Sequence, residues 1–326
     1  MSRIKKIGVL TSGGDAPGMN AAIRAVVRTA IYNKLEVVGV KQGYEGLIHG
    51  DFQNMESHDV SNIIQRGGTI LCSARSEEFR GAEGRKKAHD QMVAAKIDAL
   101  IVIGGDGTFS GARIFTQEYD IPVVGIPGTI DNDLYGTDYT IGYDTALNTV
   151  IEAVDKIRDT ASAHNRLFFI EVMGRDAGFL ALRSGIAAGA EAILIPERQT
   201  HLKDLERYLA KGYTAHKTSG IVIVAEGDKS GGAYTIASEI GKKHPEYDIR
   251  VSVLGHMQRG GSPSAFDRVT ASTLGVAAVD ALLDDQKSIM VGIVNGEVSQ
   301  VSFNKTIKNR KKVKESLLTI NDILSI

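Results

Sequence analysis

Residues 99–108 read Ala99-Leu100-Ile101-Val102-Ile103-Gly104-Gly105-Asp106-Gly107-Thr108, an apolar, β-branched run that ends in a glycine-rich turn. Runs of the same kind lie at Ile7–Leu10, Glu36–Val40 and Val123–Ile126, and amphipathic segments such as Met19–Ile31 separate them. Strands that alternate with helices in this way are typical of βαβ units, whose strands form a mostly parallel sheet. The sequence therefore predicts an α/β fold.

The second half of the chain continues the same alternation. Strand-like runs follow at Leu167–Val172, Ala192–Ile195, Gly220–Ala225, Arg250–Leu254 and Met290–Val294. At 326 residues the chain is long for one compact domain. We expect two Rossmann-like lobes with mostly parallel sheets and an active site in the cleft between them. Because ligands bind beyond the carboxyl ends of parallel strands, the residues after each strand are the candidates for function.

Composition and charge argue against several classes of protein. The formal net charge of −1 provides no attraction to nucleic acid or to an anionic membrane. The basic run Lys305–Lys314 lacks interleaved aromatic residues, which favours a solvated helix face. The single cysteine, Cys72, indicates a reducing compartment. Apolar stretches fall short of the ~20 residues of a membrane helix, and Ile7–Leu10 is too short for a signal peptide. We expect a cytoplasmic protein that binds neither nucleic acid nor membranes.

Two glycine-rich loops at strand ends suit phosphate groups. Thr11–Asn20 opens a helix, and its glycines let backbone N–H groups approach an anion, although no Gly-Lys-Ser/Thr of a P-loop follows. In Gly104–Thr108 the carboxylate of Asp106 would repel a phosphate unless a cation lay between them, and Mg²⁺ prefers such oxygen ligands. We therefore assign Asp106 to Mg²⁺. The alternatives are a merely tight turn for the first loop and an N-cap role for Asp106.

A third loop, Pro127–Asp133, contains two carboxylates. In an extended segment Thr129, Asp131 and Asp133 would project to the same side. Two carboxylates so close need a cation to relieve their repulsion, and an ionised aspartate can accept a proton from an aligned hydroxyl. The segment therefore suits one aspartate as a general base and one near the metal. A turn rich in Asp and Asn is the alternative.

Arginines at several strand ends also suit phosphate groups. They are Arg75 after Thr69–Ser73, Arg166 and Arg175 on either side of Leu167–Val172, Arg250, and Arg259 beside His256 in Gly255–Gly261. An arginine can donate two parallel hydrogen bonds to a phosphate, and a histidine near an arginine among glycines suits a small anion. For any single arginine a surface ion pair is the alternative.

At these residues the sequence resembles the 6-phosphofructokinases, specifically their bacterial ATP-dependent branch. The resemblance extends from Gly8–Asp15 to Leu324–Ile326, and Arg250–Arg268, which ends in Asp267-Arg268, looks like the family signature. The Gly104–Thr108 motif by itself also resembles NAD kinases and some lipid kinases. The resemblance implies a glycolytic kinase that transfers the γ-phosphoryl group of ATP to the 1-hydroxyl of fructose 6-phosphate, giving fructose 1,6-bisphosphate and ADP.

The resemblance also implies a role for each matching residue. Asp131 would be the base that takes the proton of the 1-hydroxyl, Thr129 would position the reacting groups and Asp133 would support the site. Arg75 and Arg175 would neutralise charge on the transferring phosphoryl group. The catalytic set would be Gly14, Arg75, Thr129, Asp131, Asp133 and Arg175. ATP would contact Gly14, Arg75, Ser76, Gly105, Asp106, Gly107 and Thr108, with Mg²⁺ at Asp106.

The acceptor side follows from the same resemblance. Fructose 6-phosphate would contact Thr129, Ile130, Asp131, Met173, Gly174, Arg175, Glu226, His256, Met257, Gln258 and Arg259. Glu226 would bind sugar hydroxyls, while His256 and Arg259 would grip the 6-phosphate. Arg166 and Arg250 would join them from a neighbouring subunit, because family members are homotetramers with shared active sites.

Side-chain size indicates the phosphoryl donor. Gly107 and Gly128 stand where pyrophosphate-using relatives typically carry Asp and Lys. A carboxylate at position 107 would crowd and repel the α-phosphate of ATP, so ATP is the expected donor. The predicted domains are a large ATP-binding lobe, residues 1–142 plus 258–309, and a smaller fructose 6-phosphate-binding lobe, residues 143–257 plus 310–326.

An effector pocket for ADP or phosphoenolpyruvate is matched only in part. The matching residues are Arg24, Arg28, Arg158, Gly189, Ala190, Glu191 and Lys217. Ala215 stands where the family usually has arginine, and Asn62 where it usually has aspartate. Loss of a guanidinium forfeits charge-assisted hydrogen bonds, so we expect an allosteric enzyme with weakened effector control.

Two other functions stay open at this point. One is another kinase with the same glycine-and-aspartate loop, such as one acting on NAD, and the other is a non-catalytic sensor of nucleotides or sugar phosphates. An oxidoreductase is disfavoured, because no Gly-x-Gly-x-x-Gly opens a helix with an acidic residue ~20 positions further on.

Overall fold

The computed structural model describes residues 4–164, 166–199, 203, 205, 206, 209 and 220–324. The chain divides into two compact units. The first comprises Met1–Thr129, Leu134–Thr145 and Arg259–Lys311, and the second comprises Ile130–Asp133, Ala146–Gln258 and Lys312–Ile326. Each unit contains its own sheet with helices packed against it, which confirms the predicted α/β class. The predicted lobe boundaries stay a prediction.

Most predicted strands are present, with boundaries that differ by at most two residues. The strands are β1 Lys6–Ser12, β2 Glu36–Val40, β3 Phe52–Asn54, β4 Ala99–Gly104, β5 Val123–Pro127, β6 Arg166–Val172, β7 Ala192–Leu194, β8 Gly220–Ala225, β9 Asp248–Val253, β10 Ile289–Val294 and β11 Glu297–Ser302. The helices are α1 Met19–Tyr32, α2 Gly43–His49, α3 Ala82–Ala94, α4 Asp106–Tyr119, α5 Tyr143–His164, α6 Phe179–Ala187, α7 Ala233–Lys243, α8 Ala265–Leu283, α9 Phe303–Lys308 and α10 Glu315–Leu324. Two 3₁₀ turns occupy Glu78–Arg80 and Gly255–Arg259.

The sheet of the first unit has the strand order β11-β10-β5-β4-β1-β2-β3. Strands β1, β2, β4, β5 and β10 run parallel, whereas the edge strands β3 and β11 are antiparallel to their neighbours. Central β4 is buried along its whole length, as its uninterrupted apolar sequence predicts. Ser12 pairs with Gly104, and Gly104 pairs with Pro127. The carboxyl ends of β1, β4 and β5 therefore lie at one level.

The sheet of the second unit is wholly parallel, with the strand order β7-β8-β6-β9. Its apolar side chains, among them Phe169, Val222 and Val224, pack in a buried cluster with Ile236 of α7. Val172 of β6 pairs with Ala225 of β8, and Glu171 pairs with Val253 of β9. The turns that follow β6, β8 and β9 consequently start at the same edge of this sheet.

Asp267 joins the starts of two long helices of the fold. It is fully buried near the beginning of α8, where its carboxylate accepts hydrogen bonds from the N–H groups of Gly142 and Thr145, at 2.9 and 2.8 Å, and from the Thr145 hydroxyl. Ser264 caps α8 by accepting the Asp267 N–H at 3.1 Å. Burial raises the pKa of Asp267, against the opposing effect of these hydrogen bonds. The signature residue Asp267 thus caps the first turn of α5.

Two expectations about local structure are wrong. Thr69–Ser73 forms a turn rather than a strand, because Cys72 adopts a left-handed backbone with φ 56° and its N–H bonds back to the Thr69 carbonyl. The basic run Lys305–Lys314 is helical only to Lys308, after which Lys311 donates to the carbonyl of Asp138 at 2.7 Å. Of the helices in the described part of the chain, none combines the length and apolar character needed to cross a membrane.

Candidate active site

Three loops of the first unit meet where β1, β4 and β5 end. The Thr108 hydroxyl donates to the Ser12 carbonyl at 3.1 Å, and the N–H of Gly128 donates to the Gly104 carbonyl at 3.0 Å. A side chain at Gly104 would overlap Thr108 and the Ser12 carbonyl, so only glycine permits this close approach. The predicted residues Gly14, Gly105 and Thr129 all belong to these loops.

The loop after β4 leads directly into α4. Gly105 is the N-cap of this helix and Asp106 its first residue, so the N-cap alternative for Asp106 is wrong. Asp106 and Gly107 are exposed, and a Cβ on Gly107 would meet no described atom within 4 Å. An accessible carboxylate beside open space at a helix start fits a Mg²⁺–phosphate ligand, because Mg²⁺ takes one or two carboxylates and completes its shell with phosphate oxygens and waters.

Arg259 lies against the loop after β1. Its Nη1 donates to the Asp15 carbonyl at 3.1 Å, and a Cβ on Gly14 would lie 2.5 Å from the same nitrogen. A side chain at position 14 would therefore displace the Arg259 guanidinium from its present position. Both residues were predicted for the site, Gly14 for ATP and Arg259 for the 6-phosphate, and the structure brings them into contact.

The segment that carries Arg75 and Ser76 is held by polar side chains whose role is not evident from the sequence motifs. The Asn20 amide donates to the carbonyls of Arg66 and Gly67 and accepts the Ile70 N–H at 2.8 Å. The Thr11 hydroxyl donates to the Cys72 carbonyl at 2.8 Å. The Ser76 hydroxyl accepts the Phe79 N–H at 3.2 Å, and Arg75 is exposed. The sequence signal for this role was a polar residue, Asn20, within the otherwise apolar start of α1, because a buried polar side chain needs hydrogen-bond partners.

The loop after β5 does not continue as an extended segment. Ile130 and Asp131 form a turn and Asn132 has a left-handed backbone with φ 52°, so the expectation of an extended segment is wrong. That Asp131 and Asp133 share one face stays a prediction. Thr129 and Asp131 are buried and Asp133 is half-buried. The Asp131 Oδ2 atom lies 3.7 Å from the Nε atom of Arg175. This places a carboxylate and a guanidinium close together, and the roles of base and charge stabiliser predicted for them stay predictions.

Arg175 is the second residue of a turn, Gly174–Ala177, that follows β6. The N–H groups of Gly174 and Arg175 donate to Oε1 of Glu226, at 3.1 and 2.7 Å. Glu226 follows β8, and the Gly255–Arg259 turn follows β9 with His256 and Met257 exposed. Ends of three adjacent parallel strands thus bring together most of the predicted acceptor-side residues.

Arg166 and Arg250 lie elsewhere in the second unit. Arg166 is the first residue of β6 and Arg250 the third of β9, toward the amino-terminal ends of strands whose carboxyl ends carry the turns above. Asp248 pairs with both of them, with distances of 2.9 Å to Arg166 Nε and 2.8 Å to Arg250 Nη1. The structure does not join either arginine to Arg175 or Glu226 within one chain.

Comparison with known proteins agrees with this geometry. The family model described as phosphofructokinase matches residues 6–282. The chain belongs to the phosphofructokinase family. It is 59% identical over 326 residues to a protein named ATP-dependent 6-phosphofructokinase 2 from Bacteroides thetaiotaomicron, with 100% of both chains covered. It is 54% identical over 323 residues to ATP-dependent 6-phosphofructokinase 1 from Thermus thermophilus, covering 99% of this chain and 100% of the relative.

Solved phosphofructokinases share the fold. The Saccharomyces cerevisiae phosphofructokinase superposes with a TM-score of 0.89 at 37% identity, and the match covers 98% of this chain but 47% of the yeast chain. A pyrophosphate-dependent phosphofructokinase from Marinobacter aquaeolei has a TM-score of 0.84 at 23% identity, with 96% of this chain and 86% of that chain covered. The latter similarity concerns the fold alone.

The residues that match the phosphofructokinase effector pocket lie in both units. In the second unit, Arg158 Nη2 donates to the Gly189 carbonyl at 3.0 Å and its Nη1 lies 3.9 Å from Glu191. In the first unit, α1 carries Arg24 and Arg28. Partial burial and the nearby positive charge of Arg28 lower the pKa of Arg24. Ala190 is buried. Asn62 has a left-handed φ of 55°, whereas Lys217 and Ala215 fall outside the described residues.

Proposed function

We propose that the protein transfers the γ-phosphoryl group of ATP to the 1-hydroxyl of fructose 6-phosphate, giving fructose 1,6-bisphosphate and ADP as a step of glycolysis. The observation that carries the chemistry is the buried Asp131 carboxylate 3.7 Å from the Arg175 guanidinium. The observation that carries the substrate is the name shared by relatives that align along the whole chain.

Asp131 acts as the general base in this proposal. Its carboxylate accepts the proton of the 1-hydroxyl while the hydroxyl oxygen attacks the γ-phosphorus of ATP and the bond from that phosphorus to ADP breaks. Arg175 faces the same carboxylate and stabilises negative charge on the transferring group, with Arg75 contributing from the donor side. Thr129, buried and hydrogen-bonded through its backbone to Ile141, holds its position next to the base. Asp133 and Gly14 complete the proposed catalytic set.

ATP is the proposed donor and binds against the glycine-rich strand ends, together with Ser76, Gly105, Gly107 and Thr108. A Cβ at position 107 would meet no described atom within 4 Å, so the fold itself does not require glycine there. A need for space and for the absence of negative charge beside the ATP phosphates would explain the glycine, which supports ATP as the donor. Asp106 would hold Mg²⁺, which, when bound, would neutralise phosphate oxygens of the nucleotide.

On the acceptor side, Glu226 binds sugar hydroxyls in this proposal, and His256 and Arg259 bind the 6-phosphate. Ile130 and the turn residues Met173, Gly174 and Met257 line the same subsite. Arg166 is the first residue of its strand and Arg250 the third of six, both away from the carboxyl ends that carry Glu226 and Arg175, which supports a role in a neighbouring subunit of a homotetramer. ADP or phosphoenolpyruvate would act weakly as effectors. The single cysteine and the glycolytic role support a cytoplasmic location.

One coupled assay tests the assignment. Purified protein is supplied with ATP, Mg²⁺ and fructose 6-phosphate, and the formation of both fructose 1,6-bisphosphate and ADP is followed, because a reaction with pyrophosphate would give the bisphosphate without ADP. Parallel reactions replace ATP with pyrophosphate, or replace the sugar phosphate with NAD. We expect turnover with ATP and fructose 6-phosphate alone. Phosphorylation of NAD would indicate the rival kinase, and tight binding of both ligands without turnover would indicate a sensor.

A further inference from the structure

Gln258 differs from its neighbours in the turn Gly255–Arg259. Within this turn, all of whose residues are described, Gln258 alone is buried, and its exposed fraction is 0%. Its Oε1 accepts the N–H of Met173 at 3.1 Å and its Nε2 donates to the carbonyl of Gly255 at 2.9 Å. A backbone N–H can only donate and a carbonyl can only accept, so these partners fix the orientation of the amide. Gln258 thereby ties the turn after β6 to the turn after β9.

The turn that Gln258 holds has an unusual backbone. Gly174 has a φ of 143° and Arg175 a φ of 51°, a left-handed conformation that costs a residue with a Cβ about 1 kcal/mol or more. Glu226 accepts the N–H groups of Gly174 and Arg175, so side chains from β8 and β9 ends take three successive N–H groups. A side chain on Gly227 would overlap the Arg175 carbonyl, which closes the turn from another direction.

The conformation of this turn sets the direction of the Arg175 side chain. A change from the left-handed to the right-handed region would redirect the Cα–Cβ bond and move the guanidinium away from Asp131, whose Oδ2 lies 3.7 Å from Arg175 Nε. Both polar atoms of the Gln258 amide are bonded to backbone groups, so Gln258 can affect the position of Arg175 only through the backbone of the turn.

We propose that Gln258 is a positioning residue for phosphoryl transfer: it anchors Met173, at the start of the segment whose left-handed Arg175 lies beside Asp131, and it does not contact the sugar phosphate. This inference rests on the proposed function for its kinetic consequence. It replaces the sequence-based expectation that Gln258 touches fructose 6-phosphate.

Two variants of the full-length enzyme test the role. Gln258→Met keeps the side-chain length and removes both hydrogen bonds, whereas Gln258→Glu keeps the acceptor for Met173 and loses the donor to Gly255. Hydrogen–deuterium exchange of peptides covering Met173–Arg175 should be about tenfold faster in Gln258→Met, with an intermediate value in Gln258→Glu. Gln286→Met is the matched control, because Gln286 is exposed after α8, and it should change neither exchange nor kcat.

Kinetics complete the test. Gln258→Met should lower kcat about tenfold with a smaller effect on KM for fructose 6-phosphate. In an Arg175→Ala background the same substitution should lower kcat less than about twofold, because the effect passes through Arg175. A lower kcat with unchanged exchange, or an undiminished effect without Arg175, would overturn the proposal, as would faster exchange with unchanged kcat.

Should Gln258→Met not fold, Gln258→Glu carries the same comparisons. A wild-type protein inactive on fructose 6-phosphate would refute the proposed function, whereas unchanged exchange would refute the contact itself.

Discussion

At the scale of single residues, Asp131 is the group on which the proposed chemistry depends most. Asparagine at this position would keep the shape of the side chain and lose its capacity to accept a proton. We expect Asp131→Asn to lower kcat by about 10²- to 10⁴-fold, the usual contribution of a general base, with KM for fructose 6-phosphate nearly unchanged. Asp120→Asn is the matched control, since Asp120 is exposed at the end of α4 and pairs with Lys287. An Asp131→Asn variant that raises KM but keeps kcat would show a binding role instead.

Gly107 decides the donor at the same scale. Its backbone does not require glycine, and the space around its Cβ position is open among the described atoms, so Gly107→Asp should fold like the wild type. The new carboxylate would face the ATP phosphates, and repulsion should raise KM for ATP by at least about tenfold. Gly107→Asn has the same size without the charge and serves as the control. Equal losses in both variants would show that crowding, rather than charge, excludes ATP.

At the scale of secondary structure, Asp267 ties the start of α8 to the start of α5. Asp267→Asn would turn an N–H₂ group toward backbone donors that the carboxylate now accepts. The free energy of unfolding at pH 7 should fall by about 1–3 kcal/mol, measured by urea denaturation. Asp284→Asn, at the exposed end of α8, should stay within about 0.5 kcal/mol of the wild type. Equal stability of the two variants would show that the capping contacts contribute nothing.

The same carboxyl group makes this contribution depend on pH. Because burial raises the pKa of Asp267 in the folded protein, the folded state binds more protons than the unfolded state above the ordinary pKa of 3.8. The stability advantage of the wild type over Asp267→Asn should therefore decline as pH rises from 3.8 through the folded-state pKa. Urea midpoints of both proteins across that range measure the difference, in which other titrating groups cancel. An advantage that grows with pH would contradict the raised pKa.

The elements also show what sequence can and cannot predict. Buried parallel strands such as β4 are apolar along their whole length, so their positions follow from the sequence, and ligand loops follow from where they end. Edge strands β3 and β11 lack that pattern because one side pairs with no other strand of the described sheet. The left-handed backbone of Arg175 is accompanied by a tertiary hydrogen bond from its N–H to Glu226, 51 residues further along the chain, and no local sequence pattern records such a contact. The participants in the candidate site were therefore predictable, whereas their geometry was not.

At the scale of the whole molecule, the departures in the effector residues predict weak regulation. Asn62 lacks the charge of the usual aspartate, and Ala215 lacks the positive charge that would pair with an anionic effector. Titration of fructose 6-phosphate with millimolar phosphoenolpyruvate or ADP should shift half-saturation only slightly. Ala215→Arg should tighten effector binding by about 10- to 100-fold, because it restores charge-assisted hydrogen bonds. Large shifts in the wild type, or none in Ala215→Arg, would contradict this explanation.

Shared active sites in a homotetramer make the sharpest prediction at this scale. Arg250 lies toward the far end of its strand from Glu226 and Arg175, so Arg250→Ala should raise KM for fructose 6-phosphate far more than it lowers kcat.

If the neighbouring subunit supplies Arg250, then an Asp131→Asn chain and an Arg250→Ala chain each lack a different half of the site. Unfolded and refolded together, they should regain about a quarter of wild-type activity at low fructose 6-phosphate, since half the subunit pairs are mixed and each mixed pair has one intact site. Separately refolded proteins that are mixed afterwards, without subunit exchange, provide the baseline. Activity no higher than that baseline would show that each chain builds its site alone.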